Sequence, residues 1–500
     1  MSRIIFHIDV NSAYLSWSAV DRLEHGETLD IRTIPAIIGG DSATRHGVVL
    51  AKSVPAKAYK IVTGEPVANA LRKCPTLMLV SPNHAMYHEK SHALMELLHT
   101  YTDDIEQLSV DECFLDFTPI AHRYESPLAA AKIISQDIKS RFGFTVNIGI
   151  APNKLLAKMA SDFTKPDRIH TLFPDEIAAK MWPLPVDDLY MVGRSSAARL
   201  KALGIRTIGE LAATDPDYLR QEFKSHGTLM WEYANGIGDD HVHSTKREAK
   251  GIGNSTTLKE DARTLDAAKK VLLSLAESVS MRLRKEKMLA QSITVEIRYH
   301  DFTNTSHQCS LLSATNTTDV IYHTAVSLFQ QLWNSEPVRL LGIRTSRLLP
   351  EDAPVQLSIF DYAADTPASI ISPSESTVSG ESTASGRSSS DRGASDKISG
   401  EKTTSGRSSS ESFSSDESSG ENPASDESAS GNPDSGRAFS GSTLSNNNKK
   451  SYTQMPSANK QKQLDAAIDS IRKRFGSKAL VRGSFLPSPE SNPKKNHPSD

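Results

Sequence analysis

Five hundred residues exceed what one hydrophobic core usually holds, so several domains are expected. The formal charge of −3 hides a segregation: residues 365–450 carry about five more acids than bases, and residues 449–500 an excess of about seven bases. No apolar run approaches the ~20 residues of a membrane span, and the three scattered cysteines, Cys74, Cys113 and Cys309, lack metal-ligand spacing, so a membrane-spanning or disulfide-stapled chain is excluded and a reduced, cytoplasmic protein is expected.

Residues Ile4 to Asn11 read as an apolar strand that ends in Asp9, just where a helix begins. The chain therefore starts with a strand rather than a signal peptide. Residues 31–80 form a separate small lobe. Ile105 to Phe117 reads as a β-hairpin with Asp111 and Glu112 at its turn. Neighbouring carboxylates repel, so the pair is costly unless it is solvated or bridged by a cation. A solvated turn is the plainer reading of the pair alone. Asp9 changes the balance, because three carboxylates on adjacent strand ends can hold two hard divalent ions, as in-line phosphoryl transfer requires. Leu128, Ile134, Ile138 and Phe142 then recur at helical spacing, Phe144 to Ile150 reads as a strand, and Asn153 caps a further helix. Strand, helix, hairpin, helix, strand is the order of a split βαβ, or ferredoxin-like, sheet in an α/β chain.

From about 186 to 240 the pattern is helical and punctuated by glycines, Gly193 and Gly204 among them. Helices joined by tight glycine turns expose backbone N–H groups that can hold a phosphate. A basic connector, residues 246–250, leads to a second α/β region that runs to about 349. It holds an amphipathic helix from Ala267 to Lys287 and the alternating strand Ser292 to Tyr299. Residues 366–450 are mostly Ser, Gly, Glu, Asp and Thr and cannot bury enough apolar surface to fold, so a disordered linker is expected. Beyond it, Lys462 to Phe475 has helical periodicity and a basic end, within a basic tail from 451 to 500.

The strand ending in Asp9, the Ser109-Val110-Asp111-Glu112 hairpin, Lys165-Pro166 after a helix and the paired glycine turns together resemble Y-family (translesion) DNA polymerases, of the bacterial DNA polymerase IV (DinB) type. The resemblance covers about 1–360 and returns at about 462–486. It implies a right hand: a ferredoxin-like palm (1–12 and 82–168), small fingers (13–81), a helix-hairpin-helix thumb (169–242) and an α/β little finger (247–350). It implies a low-fidelity, template-directed DNA polymerase that extends a primer with deoxynucleoside triphosphates in lesion bypass. On that mapping Asp9, Asp111, Glu112 and the Val10 carbonyl hold two Mg²⁺ ions, with Mn²⁺ as a substitute. Tyr14 is the steric gate against ribose, and Lys165 meets the triphosphate. Gly193, Gly204 and the run Ser255-Thr256-Thr257 grip DNA through backbone amides and hydroxyls.

The chain departs from that pattern at several points. The family shows Tyr then Arg three residues later in the fingers, whereas this chain has Val54 and Lys57. Lys57 keeps the charge but lacks the two-pronged guanidinium. Asn11 stands where many relatives carry another acid, and Met191 replaces the leading glycine of the first thumb hairpin. Gln356, Leu357, Ile359 and Phe360 look like a peptide that seats two apolar groups in the bacterial sliding clamp. The expected protein is a monomer with no membrane partner. The rival readings are a nucleotidyl cyclase, which shares a two-acid palm but needs no glycine hairpins, and a non-catalytic DNA-binding relative.

Overall fold

The computed structural model describes residues 3–40, 47–245, 249–353, 458–476 and 479–480. The peptide 356–360 and the segment 366–450 lie outside the described residues.

Strand β1 (Ile5–Val10) leads into helix α1 (Ala13–Glu24). An excursion follows: β2 (Ala36–Gly39), β3 (Val49–Lys52), α2 (Val54–Lys57), α3 (Val67–Lys73) and β4 (Met78–Val80). Its three strands make their own sheet around a small core that includes Ile37, Val49, Ile61 and Val67, which is the separate lobe the composition suggested. The chain then returns through α4 (His84–His99), β5 (Ile105–Gln107), β6 (Glu112–Asp116), α5 (Pro127–Phe142), β7 (Val146–Ala151), α6 (Lys154–Asp162) and β8 (Ile169–Thr171).

The main sheet has the order β5-β6-β1-β7-β8. The first four strands are antiparallel neighbours, the arrangement expected of a split βαβ unit. The fifth, β8, pairs parallel with β7 and continues the sheet beyond residue 168, where the sequence reading ended this region. Helix starts follow local capping: Ser126 accepts from Ala129 N ahead of α5, and Asn153 accepts from Leu156 N ahead of α6.

Side chains alternate across β1. Phe6, Ile8 and Val10 face a core shared with Leu94 and Leu98 of α4 and Ile134 and Ile138 of α5. Ile5, His7 and Asp9 therefore point to the other face, which α6 covers. Close approach of α6 depends on Gly149: a Cβ there would collide with the Ala157 carbonyl and sit 2.5 Å from Ser161 N. Gly149→Ala is expected to cost about 3 kcal/mol by overpacking, read as a lowered urea midpoint. An unchanged midpoint would mean that α6 does not rest on the sheet in this way.

Helices α7 (Ile177–Lys180), α8 (Arg194–Ala202), α9 (Ile208–Ala212), α10 (Pro216–Phe223) and α11 (Ser225–Ala234) follow. Their core, with Leu200, Ile208, Leu211 and Met230, is continuous with Leu155 and Met159 of α6. A second sheet contains β9 (Gly251–Ala262), β10 (Met288–Tyr299), β11 (Asn304–Thr315) and β12 (Val338–Pro350) in the order β11-β10-β12-β9. Helices α12 (Leu265–Lys285) and α13 (Thr318–Leu332) supply Leu272, Val279, Leu283, Ile321 and Phe329 to the core on one of its faces. A last helix, α14 (Ala458–Phe475), belongs to the same compact unit as residues 1–351.

Candidate active site

The three acids meet at one end of the main sheet. Asp9 on β1 is the direct cross-strand partner of Glu112 on β6. Val10 N donates to the Asp111 carbonyl at 3.0 Å, which ties the hairpin turn to the end of β1. The turn is closed by Leu108 N and Ser109 N, which both donate to the Glu112 carbonyl. Ser109 Oγ donates to Asp111 Oδ1 at 2.6 Å and fixes that side chain.

Two lysines stand over two of the carboxylates. Lys158 Nζ lies 2.5 Å from Glu112 Oε2, and Lys165 Nζ donates to Asp9 Oδ2 and to Asp162. Burial pushes the Glu112 carboxyl up, but the His7 ring and the Lys158 ammonium together overcome it and hold it down at about 2. Burial raises Asp9, and Lys165 only partly offsets this while Asp111 adds to it. Burial also works against the Lys165 ammonium, yet Asp9 and Asp162 reverse the effect and raise it.

Among the described residues, no three His, Cys, Asp or Glu side chains are gathered closely enough to hold a metal as they stand. The donor chemistry nevertheless fits a hard divalent cation: three carboxylates and neighbouring backbone oxygens, with ammonium groups standing in as the cations. Asn11, two residues beyond Asp9, has a buried Oδ1 with no hydrogen-bond partner among the described residues, while its Nδ2 donates to Thr145 Oγ1.

Sequence reasoning missed several residues here. His7 is fully buried; its Nδ1 is 2.7 Å from Ser161 Oγ, and its Nε2 is 3.2 Å from Glu112 Oε2, off the angle of a good hydrogen bond. Ser161 Oγ donates in turn to the Lys158 carbonyl. The i, i+2 spacing of His7 and Asp9 on a strand was the available signal, since it puts both on one face. Lys154 is also buried and bridges Glu106 at 3.0 Å and Asp239 at 2.7 Å.

Tyr14 is half-buried on α1. Its ring stacks on Tyr87 of α4 at 4.4 Å and 7°, with His84 edge-on at 6.0 Å. Burial raises its phenol, and the Asp111 charge adds to the effect. Lys57 closes α2 on the surface of the small lobe, and Val54 is 55% exposed.

Gly193 is the N-cap of α8, and Gly204, at φ +87°, joins α8 to α9. Met191 takes φ +70°, a left-handed conformation that favours the glycine it replaces. On β9, the pleat separates the three small residues that the sequence grouped together. Ser255 and Thr257 pair with Gly342 and Leu340, whereas Thr256 pairs with the buried Leu341. Ser255 and Thr257 thus share the open face of the sheet, and the Thr256 side chain is turned toward the helices.

Comparison with known proteins gives one consistent picture. Residues 8–162 match the impB/mucB/samB family, residues 249–359 its C-terminal domain, and residues 174–205 the IMS family HHH motif. The chain is 48% identical to a DNA polymerase IV of Clostridium acetobutylicum, over 73% of this chain and 92% of that protein. It is 37% identical to DNA polymerase IV 1 of Bacillus subtilis, over 73% and 87%. In fold it is similar to a solved Y-family DNA polymerase chimera, with a TM-score of 0.62 and 22% identity over 69% of this chain and 99% of that one.

Proposed function

The chain belongs to the impB/mucB/samB family of Y-family polymerases, and from that premise we propose a two-metal, template-directed DNA polymerase that works in translesion synthesis. The observation that carries the reading is the meeting of Asp9, Asp111 and Glu112 on two adjacent strand ends. In this reading these carboxylates and the Val10 carbonyl hold two Mg²⁺ ions, and Mn²⁺ can substitute. When bound, the ions lower the pKa of a primer 3′-hydroxyl and neutralise the triphosphate.

The protein's own groups do the rest. Ser109 holds Asp111 in place, and Lys158 keeps Glu112 ionised. Lys165 pairs with Asp9 in the free enzyme and, in this reading, meets the triphosphate anion when it binds. Tyr14, braced by Tyr87, excludes a 2′-hydroxyl. The turn at Gly193 and Gly204 and the open sheet face with Ser255 and Thr257 hold the DNA backbone without reading sequence. Among the described residues no helix is long and apolar enough to cross a membrane, and we place the enzyme in the cytoplasm as a monomer.

The deciding experiment is primer extension on undamaged and damaged templates, with Mg²⁺ and with chelator. Extension that persists in chelator would overturn the metal reading. Cyclic nucleotide formation without extension would overturn the polymerase reading.

If Lys57 meets the triphosphate, Lys57→Arg is expected to tighten nucleotide binding several-fold, since a guanidinium can bind two oxygens at once. An apparent dissociation constant that moves in neither Lys57→Arg nor Lys57→Ala removes Lys57 from the site.

We further propose that Gln356, Leu357, Ile359 and Phe360 dock on the bacterial sliding clamp. Replacing Leu357, Ile359 and Phe360 with alanine should spare synthesis on a bare primer. It should also remove the increase in product length that a loaded clamp gives, because tethering acts through effective concentration alone. A triple variant that responds to the clamp like the parent protein rejects the partner.

A further inference from the structure

Helix α14 follows β12 only after about a hundred intervening residues, yet it is seated against α12 and α13. Its seat is made of charges. Asp465, Asp469 and Arg472 follow one another at spacings of four and three and therefore share one helix face. Arg284, in the last turn of α12, donates from Nε to Asp469 Oδ2 at 2.6 Å and from Nη1 to the Asn316 carbonyl at 2.8 Å. The same Nη1 is 3.4 Å from Asp465 Oδ2. Arg472 Nη2 reaches Glu277 Oε2, also on α12, at 3.0 Å.

Asp465 does more than pair. It is only 2% exposed, and its Oδ2 accepts from Thr318 N, the first residue of α13, at 2.9 Å. Thr317, the N-cap of α13, makes no side-chain cap bond, and its hydroxyl is engaged with Thr315 Oγ1. A carboxylate from the far end of the chain thus supplies the side-chain acceptor that this helix start lacks locally, beside Asp319, the acid already in its first turn. Most of the large apolar residues of α14 stay open, with Leu464, Ile471 and Phe475 50%, 37% and 67% exposed, and only Ile468, beside the charged face, is half-buried.

We propose that the corner formed by α12 and α13 is a receptor for residues 458–475 of the same chain. It is keyed by charge. The proposal rests on none of the active-site assignments. An 18-residue helix with its apolar side open would be marginal in water by itself, so the receptor is what keeps it formed. The occupant is the helix in cis, because a Gly/Ser-rich connection of this length keeps the two ends at an effective concentration of roughly millimolar order. A second copy would have to compete with that. Because the seat is ionic and partly open to water, added salt weakens it.

The test uses the full chain and hydrogen exchange. In the parent protein at low salt, amides of 458–475 should exchange at least tenfold more slowly than in the isolated 458–475 peptide. Asp469→Lys lies on α14 itself and leaves the receptor intact; it should abolish that protection, and about 1 M NaCl should do the same to the parent. Arg284→Glu should also release the helix, and the charge swap Arg284→Glu with Asp469→Arg should restore part of the protection. Amides of β1 should be unaffected throughout, which separates release from global unfolding. Unchanged protection in Asp469→Lys and Arg284→Glu overturns the charge-keyed seat. Light scattering that shows a dimer which dissociates in Asp469→Lys overturns the cis occupant in favour of a second copy.

Discussion

Alanine at Asp9, Asp111 or Glu112 is expected to lower nucleotide incorporation by roughly a thousandfold or more, equivalent to about 4 kcal/mol or more of lost transition-state stabilisation. DNA binding should survive, because the groups that hold the backbone are on other elements. The three variants should nonetheless differ in stability, for reasons visible in their partners. Asp111 sits at the turn and loses chiefly the bond from Ser109. Glu112 leaves Lys158, whose side chain is 14% exposed, without its carboxylate at 2.5 Å, so Glu112→Ala should be the least stable of the set. Asp9→Ala leaves Lys165 with Asp162 as a remaining partner, which softens the loss. Single-turnover incorporation, fluorescence anisotropy with primer-template and a thermal melt separate these effects. A variant that extends primers at near the parent rate would remove that residue from the metal site.

Tyr14→Ala should reduce discrimination against ribonucleotides by roughly a hundredfold, about 2.7 kcal/mol, while deoxynucleotide use falls much less. The asymmetry follows from what is removed. The ring is held flat against Tyr87 and edge-on to His84, and Tyr87 is itself fixed by a 3.0 Å bond between its hydroxyl and Ser18 Oγ. A braced ring can exclude a hydroxyl by overlap; a mobile one would move aside. Alanine removes the obstruction without removing any attraction to deoxyribose. Paired single-turnover measurements with the two sugars provide the readout. Unchanged discrimination would make Tyr14 a packing residue of α1 and place the gate elsewhere.

The parts of this molecule that were legible in its sequence are those in which neighbours in sequence do the work. The alternation in Ile4 to Asn11, the hairpin around Asp111 and Glu112 and the cap at Asn153 each depend on residues within a few positions, and each lies where the pattern put it. The pairing of Asp9 with Glu112 was reached by combining two such local signals. His7, Lys154 and Lys158 were not legible, because their meaning comes from partners about 46 to 154 residues away. That Thr256 faces away from Ser255 and Thr257 was not legible, because composition does not show which face of a strand looks toward helices. Nothing in the periodicity of Lys462 to Phe475 marks Asp465 or Asp469; their meaning comes from Arg284, on a distant helix.

The position of β1 has a consequence for how the protein is made. It is the third strand in a row of five, flanked by β6 and β7, yet it leaves the ribosome before both. Ile5 to Val10 must wait, with the edge that β7 will cover open, until residues up to Ala151 have been synthesised. At ~5–20 residues per second, that interval is of the order of ten seconds. An apolar strand exposed for that long is the segment of this chain best suited to pair with a wrong neighbour. His7 and Asp9, the polar residues that interrupt it, therefore serve the nascent chain as well as the finished enzyme, keeping its one water-compatible face soluble until α6 arrives to cover it.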